Sequence, residues 1–189
     1  MQNLYTLVKE KDCYVVTSNK EDHFVPAGFS RNQVFEMEGR MTRSRCASGC
    51  CEDVYENREA VLRMALAEKN GVVPTELIPR CPECGAPLTV DIADSDFFFR
   101  TSRFRQKMQE YQNFIRKHHG KKLVILEFGV GWRNRMIKEP LMQLTASEPD
   151  AVYITFNKGE VYIPREIADK SIGVDDDIAG ALAKIVHVK

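Results

Sequence analysis

Two cysteine pairs constrain this chain more than any other feature: Cys46-x3-Cys50 and Cys81-x2-Cys84, with thirty residues between them. The second pair reads Arg80-Cys81-Pro82-Glu83-Cys84-Gly85. In each knuckle a tight turn aims two thiolates at one point, and the glycine after the last cysteine lets backbone amides face sulfur without a Cβ clash. Four thiolates close the tetrahedron around a zinc ion, so the site reads as a structural zinc ribbon with no position left for water or substrate. The polar start, Met1-Gln2-Asn3-Leu4-Tyr5, does not read as a secretory segment, and this favours metal ligands over disulfide partners. Cys51 stands beside Cys50 and competes for its place, although a three-residue gap sets two thiolates on one turn more naturally. Cys13 opens an apolar run and reads as core.

The 189 residues are enough for one sizeable domain, or for one domain with a small metal-held insert. The expected division is an α/β portion over 1–40 and 93–189 and a ribbon over 41–92. Within the ribbon, a helix near Arg58 to Lys69 spaces Ala60, Val61, Met64, Ala65 and Leu66 along one face. The 27 basic and 27 acidic side chains cancel, which removes the general electrostatic reason to bind nucleic acid or a membrane surface. No apolar run approaches the roughly 20 residues needed to span a bilayer. A cytoplasmic protein with no nucleic-acid and no membrane partner is expected.

Outside the ribbon, short apolar runs alternate with helical patterns. Tyr14–Thr17, Leu123–Leu126 and Ala151–Phe156 read as buried strands. A long helix is predicted from about Phe99 to Lys117, with others near Ile137 to Leu144 and Ile178 to Ile185, and a helix tail over Leu4 to Lys9. Continuously apolar strands separated by helices predict a mostly parallel sheet covered on both faces, with ligands beyond the carboxyl ends of its strands. The polar signals fall at those ends: Thr17-Ser18-Asn19, Phe128-Gly129-Val130-Gly131 and Asn157-Lys158-Gly159. Each alone reads as a tight turn more readily than as a phosphate cradle. Together they suit a nucleotide site.

The order of motifs resembles the sirtuin family: Thr17-Ser18-Asn19, Ala27-Gly28-Phe29, Glu36-Met37-Glu38-Gly39, the four cysteines, Leu126 to Gly131 and Phe156-Asn157. Leu-Glu-Phe-Gly-Val-Gly, Asn57-Arg58-Glu59 and Phe29 after Ala-Gly look most like the macrodomain-linked class M sirtuins. That resemblance implies a partial Rossmann-like sheet with a zinc-ribbon insert, NAD as cofactor, and ADP-ribosyl transfer more than deacylation. It also implies a protein substrate such as a lipoylated carrier related to the glycine-cleavage H protein. Asn19 would position NAD and water, Glu21 would stand at the acidic position after Thr-x-Asn, Gly129 and Gly131 would approach the cofactor, and Asn157 would bind the adenosine ribose.

The likeness runs from Tyr14 onward, and the glycine-rich Gly-Ala-Gly loop with which sirtuins receive the pyrophosphate has no counterpart in this sequence. Weak NAD binding is therefore expected, together with self-association or a partner that supplies a strand. Glu38 occupies the place of the base of classical sirtuins, and a carboxylate there suits stabilisation of positive charge on a ribose. The competing expectation is a sirtuin-derived zinc-binding module without catalysis, in which Glu38 is merely solvated. His23 is read as wall, or as a base. His118 and His119 are read as surface residues at a helix end, and Trp132 as closing the core or packing over a ligand. Arg40, Arg43 and Arg45 form a basic strip that faces either an acidic partner or solvent.

Overall fold

The computed structural model describes residues 1–187, which fall into two compact units. One comprises Met1–Tyr14, Ala27–Phe29 and the chain from Tyr111 onward; the other comprises Val15–Pro26 and Ser30–Glu110. In chain order the elements are α1 (Gln2–Val8), β1 (Val15–Thr17), β2 (Val34–Glu36), β3 (Gly39–Cys46), β4 (Val54–Glu56), α2 (Arg58–Ala67), β5 (Leu88–Ile92), α3 (Asp96–Arg100), α4 (Ser102–His118), β6 (Leu123–Phe128), α5 (Arg135–Ser147), β7 (Ala151–Phe156), β8 (Ser171–Val174) and α6 (Ile178–His187). Among them, no helix is long and apolar enough to cross a membrane.

The fold is α/β and partial Rossmann-like, with parallel strands and a four-cysteine insert. β6, β7 and β8 form a parallel sheet in which Leu123 pairs with Ala151 and Phe128 with Phe156. Partners in register point to the same face and successive residues to opposite faces, so the sheet has two distinct sides. On one side Ile125 and Tyr153 pack with Met142 of α5 and Ile167 into a core joined by Leu123, Leu141, Leu144 and Ile163. On the other side Val124, Val152 and Ile172 are 58, 36 and 53% exposed. The expectation of a sheet covered on both faces thus fails here, because among the described residues only one face is fully packed. β1 and β2 form a second parallel pair, with Val15 opposite Val34.

The insert is antiparallel. β3 lies between β4 and β5, with Ser44 opposite Tyr55 on one side and Val90 on the other. Gly39 opens β3 at φ +83°, and a Cβ there would come within 2.2 Å of the Asp91 carbonyl oxygen, so only glycine lets these backbones meet. The single helix predicted over 99–117 is two helices. Thr101 breaks the run in extended conformation, its hydroxyl donating to the Phe98 carbonyl at 2.8 Å and accepting the Phe104 amide at 3.3 Å as an N-cap for α4. The apolar face read on α2 is not a buried one: the helix buries no side chain, and Val61, Leu62 and Leu66 are exposed.

Ile167, 1% exposed, fills the core under β7, whereas Ile172 stands on the open face. Ile167→Ala is expected to cost about 2–4 kcal/mol in denaturant unfolding and Ile172→Ala about 0.5 kcal/mol or less. Equal costs would show that the packed side has been misassigned.

Candidate metal centre and strand-end loops

The sulfurs of Cys46, Cys50, Cys81 and Cys84 lie within 4.8 Å of one another. Cys46 to Cys50 is 3.5 Å, Cys46 to Cys84 3.6 Å and Cys50 to Cys81 3.6 Å. Four sulfurs about 2.3 Å from a central zinc are about 3.8 Å apart, so the cluster has the dimensions of a tetrahedral thiolate site and can hold zinc. Cys46 ends β3 and is fully buried, as Cys81 nearly is, while Cys50 and Cys84 are exposed. The Ser48 hydroxyl is the main cause that lowers the Cys46 thiol, to about 5, and it lowers Cys84 as well, whereas neighbouring sulfurs push Cys50 up and burial pushes Cys81 up, so the four sulfurs share the proton load of a metal-free cluster. The second knuckle closes as its sequence implied: Gly85 has φ +72° and its amide donates to the Cys81 carbonyl at 2.8 Å, while the Cys81 amide donates to Ala86 at 2.7 Å. Cys51 is 4.0 Å from Cys81 and outside the set of four.

The first rim of polar residues lies where β1 and β2 end. The Asn19 amide donates to the Thr17 hydroxyl at 3.0 Å, the Met37 amide to the Thr17 carbonyl at 2.9 Å, and the Met41 amide to the Lys20 carbonyl at 2.9 Å. These bonds bring the Asn19 turn beside the Glu38 turn, and Lys20 Nζ closes on Glu38 at 2.6 Å. Glu38 is therefore ion-paired, not merely solvated. Glu21 and His23 are exposed, and the acidic side chain built into the loop is Asp22, at φ +57°. Arg31 grips it with two bonds, of 2.8 and 2.9 Å, and Arg40 adds one at 3.1 Å. Burial pushes the Asp22 carboxyl up, but the two guanidiniums outweigh it and hold the group below the ordinary carboxylate value.

The second rim lies at the carboxyl ends of β6 and β7. The Gly129 amide donates to the Phe156 carbonyl at 2.9 Å and the Asn157 amide to Val174 at 3.1 Å, with Phe128 stacked on Phe156 at 4.9 Å. Neighbouring parallel strands thus carry Gly129 and Asn157 side by side. Gly131 leads into the turn before α5, accepting from the Asn134 amide at 3.0 Å, and the Asn157 carboxamide donates to the Glu160 carbonyl at 3.4 Å. Asn19, Glu21 and Glu38 belong to one compact unit, and Gly129, Gly131 and Asn157 to the other.

Several expectations are corrected. Trp132 does not close the core; it is 43% exposed and meets Tyr162 edge-on at 4.8 Å. His118 is largely buried against Phe114, ring centroids 4.3 Å apart, and only His119 is a surface residue. The basic strip is neither a solvated edge nor an open docking face. Arg40 and Arg45 are buried; Arg40 joins Asp22 and Glu56, Arg45 joins Asp94, and Arg43 joins Asp91 at 2.7 Å. Asp91, fully buried and also held by Arg103 at 3.1 Å, had no signal in the sequence because its partners are distant along the chain. Glu127 and Lys138 are buried partners that were also missed; a charge ending the apolar run Leu123 to Leu126 was the available sign.

No family model matches the chain. Over 178 residues, 93% of its length, it is 29% identical to a protein named protein ADP-ribosyltransferase from Staphylococcus aureus (strain Mu50 / ATCC 700699), and it spans 56% of that relative's length. The chain is thus similar to an ADP-ribosyltransferase.

One zinc per chain is expected by metal analysis. Cys81→Ser or Cys84→Ser should lower zinc content and melting temperature together, whereas Cys51→Ser should leave both within error. A metal-free protein with an unchanged melting temperature would remove the ribbon assignment.

Proposed function

We propose that the chain acts as the zinc-stapled, sirtuin-like part of a NAD-dependent protein ADP-ribosyltransferase. The observation that carries this reading is the likeness to a named protein ADP-ribosyltransferase over 93% of the chain. The order of strand-end motifs around a four-cysteine insert supports it. The polar groups suit a hydroxylated ligand: a Gly131 amide without a partner among the described residues and the Asn157 carboxamide as donors, and the Glu160 carboxylate, 3.0 Å from where a Gly131 Cβ would stand, as acceptor.

When bound, NAD supplies ADP-ribose as the bond from ribose C1′ to nicotinamide breaks, nicotinamide leaves with the electron pair, and the acceptor bonds to C1′ and loses its proton. In this reading the Glu38 carboxylate faces positive charge developing on the ribose, and Lys20, 2.6 Å away, fixes its orientation while moderating its charge. A carboxylate is a weaker base than an imidazole, which disfavours the deacylation that classical sirtuins perform with a base at this position. By the sirtuin resemblance, Asn19 and Glu21 in one unit would hold a ribose of NAD, and in the other unit Gly129 and Gly131 would allow close backbone approach and Asn157 would bind the adenosine ribose. A lipoylated carrier related to the glycine-cleavage H protein is the acceptor class this reading favours.

One observation favours a second reading, a zinc module whose NAD site needs another segment. β6 pairs with β7 alone among the described strands, and Val124, Val152 and Ile172 leave an apolar face open beside it. Such an edge and face accept an added strand and its covering helix. One titration separates the two readings. The second gives no saturable NAD binding below millimolar concentration by the 189-residue chain, with binding gained when a segment bearing a glycine-rich loop is added; tight binding by a monomeric sample would set it aside. In the competent state, label from NAD should pass to protein, and Glu38→Gln should slow transfer roughly 100-fold. Nicotinamide-coupled deacetylation of acetyl-lysine would contradict the transfer reading.

A further inference from the structure

Beneath the Gly129–Gly131 loop lies an ion pair with no role in the chemistry above. Lys138 and Glu127 are each 1% exposed, and Nζ meets Glu127 Oε1 at 2.6 Å. Glu127 is otherwise satisfied from β7: the Tyr153 hydroxyl donates to Oε2 at 2.5 Å and the Thr155 hydroxyl to Oε1 at 2.8 Å. Burial, and then the Glu127 carboxylate, push the Tyr153 phenol up, so it stays a donor. Lys138 makes one further bond, to the Val130 carbonyl at 3.0 Å, and its ammonium lies 6.0 Å from the Trp132 ring centroid.

A buried ion pair is weak support for a core, since apolar residues of similar volume are often as good. What they cannot supply is the bond to the Val130 carbonyl. That peptide is trans, so a carbonyl turned inward to Lys138 turns the Gly131 N–H to the opposite side. No described residue takes that N–H. We propose that Lys138, oriented by Glu127, is a positioning residue that fixes the Val130–Gly131 peptide and presents the Gly131 amide outward as a donor to ligand. The ligand part rests on the nucleotide reading above; the positioning part does not.

Lys138→Met leaves Glu127 buried without its cation and risks misfolding, so the deciding variant is Lys138→Met with Glu127→Gln, which keeps a carboxamide oxygen to accept from one of the Tyr153 and Thr155 hydroxyls and an amide N–H that the other can accept. Amide exchange in the ligand-free full chain is expected to quicken roughly 10-fold at Gly129, bonded to the Phe156 carbonyl at the end of β7, and at Asn134, bonded to the Gly131 carbonyl, while β7 amides keep their protection. Unchanged loop exchange in the folded double variant would overturn the proposal. A double variant that fails to fold would overturn it too, because the pair would then hold the core and not the loop in particular. NAD titration tells the two layers apart: faster loop exchange in the variant, with wild type failing to bind even when a glycine-rich segment is supplied, upholds the positioning role and sinks the nucleotide reading.

Discussion

Convergence of four thiolates on one point is the constraint on which the insert depends. Between Cys50 and Cys81 the chain makes β4, α2 and a short turn, and α2 buries none of its side chains. A segment with so little apolar burial cannot offset the entropy of ordering its backbone, which costs about 1–2 kcal/mol per residue. A zinc ion held by the four cysteines would supply the missing term, since in a site that exists only when folded the binding free energy is folding free energy. Arginines that reach a buried carboxylate do the rest of the tethering. Arg43 and Arg103 both end on Asp91 in β5, so one carboxylate ties β3 and the start of α4 to the strand between them in sequence.

What was legible in the sequence depended on locality. The knuckles, β7 and the Gly85 turn are determined by residues within a few positions of one another, and the structure has them where the sequence put them. The break at Thr101 was missed because Phe99 and Phe104 carry the helical pattern across it, and only the capping bonds of the threonine reveal the stop. The fate of the arginine strip was invisible for another reason: Asp91 and Asp94 lie 48 and 49 residues from Arg43 and Arg45. Of the candidate site, the turns at Asn19 and Gly129 could be read, but not the side chains that hold them. Asp22, Lys20 and Lys138 act through tertiary contacts that no local spacing encodes.

Both rims follow one construction. A short parallel strand ends, its neighbour's backbone accepts or donates across the end, and a charged side chain fixes the turn: Lys20 on Glu38 in one unit, Lys138 on Val130 in the other. Preorganised turns of this kind let backbone groups meet a ligand without further ordering cost. The chain is similar to a protein ADP-ribosyltransferase, and under the proposed function these turns, rather than the four-cysteine cluster, would meet the ligand.

The most direct test of the metal-dependent fold is hydrogen exchange of the same chain with zinc bound and after chelation. Protection in β3, β4 and β5 should collapse on chelation while β6 and β7 retain theirs. Unaltered protection of β3 and β5 without metal would contradict the account, for the insert would then hold its shape without the thiolate centre.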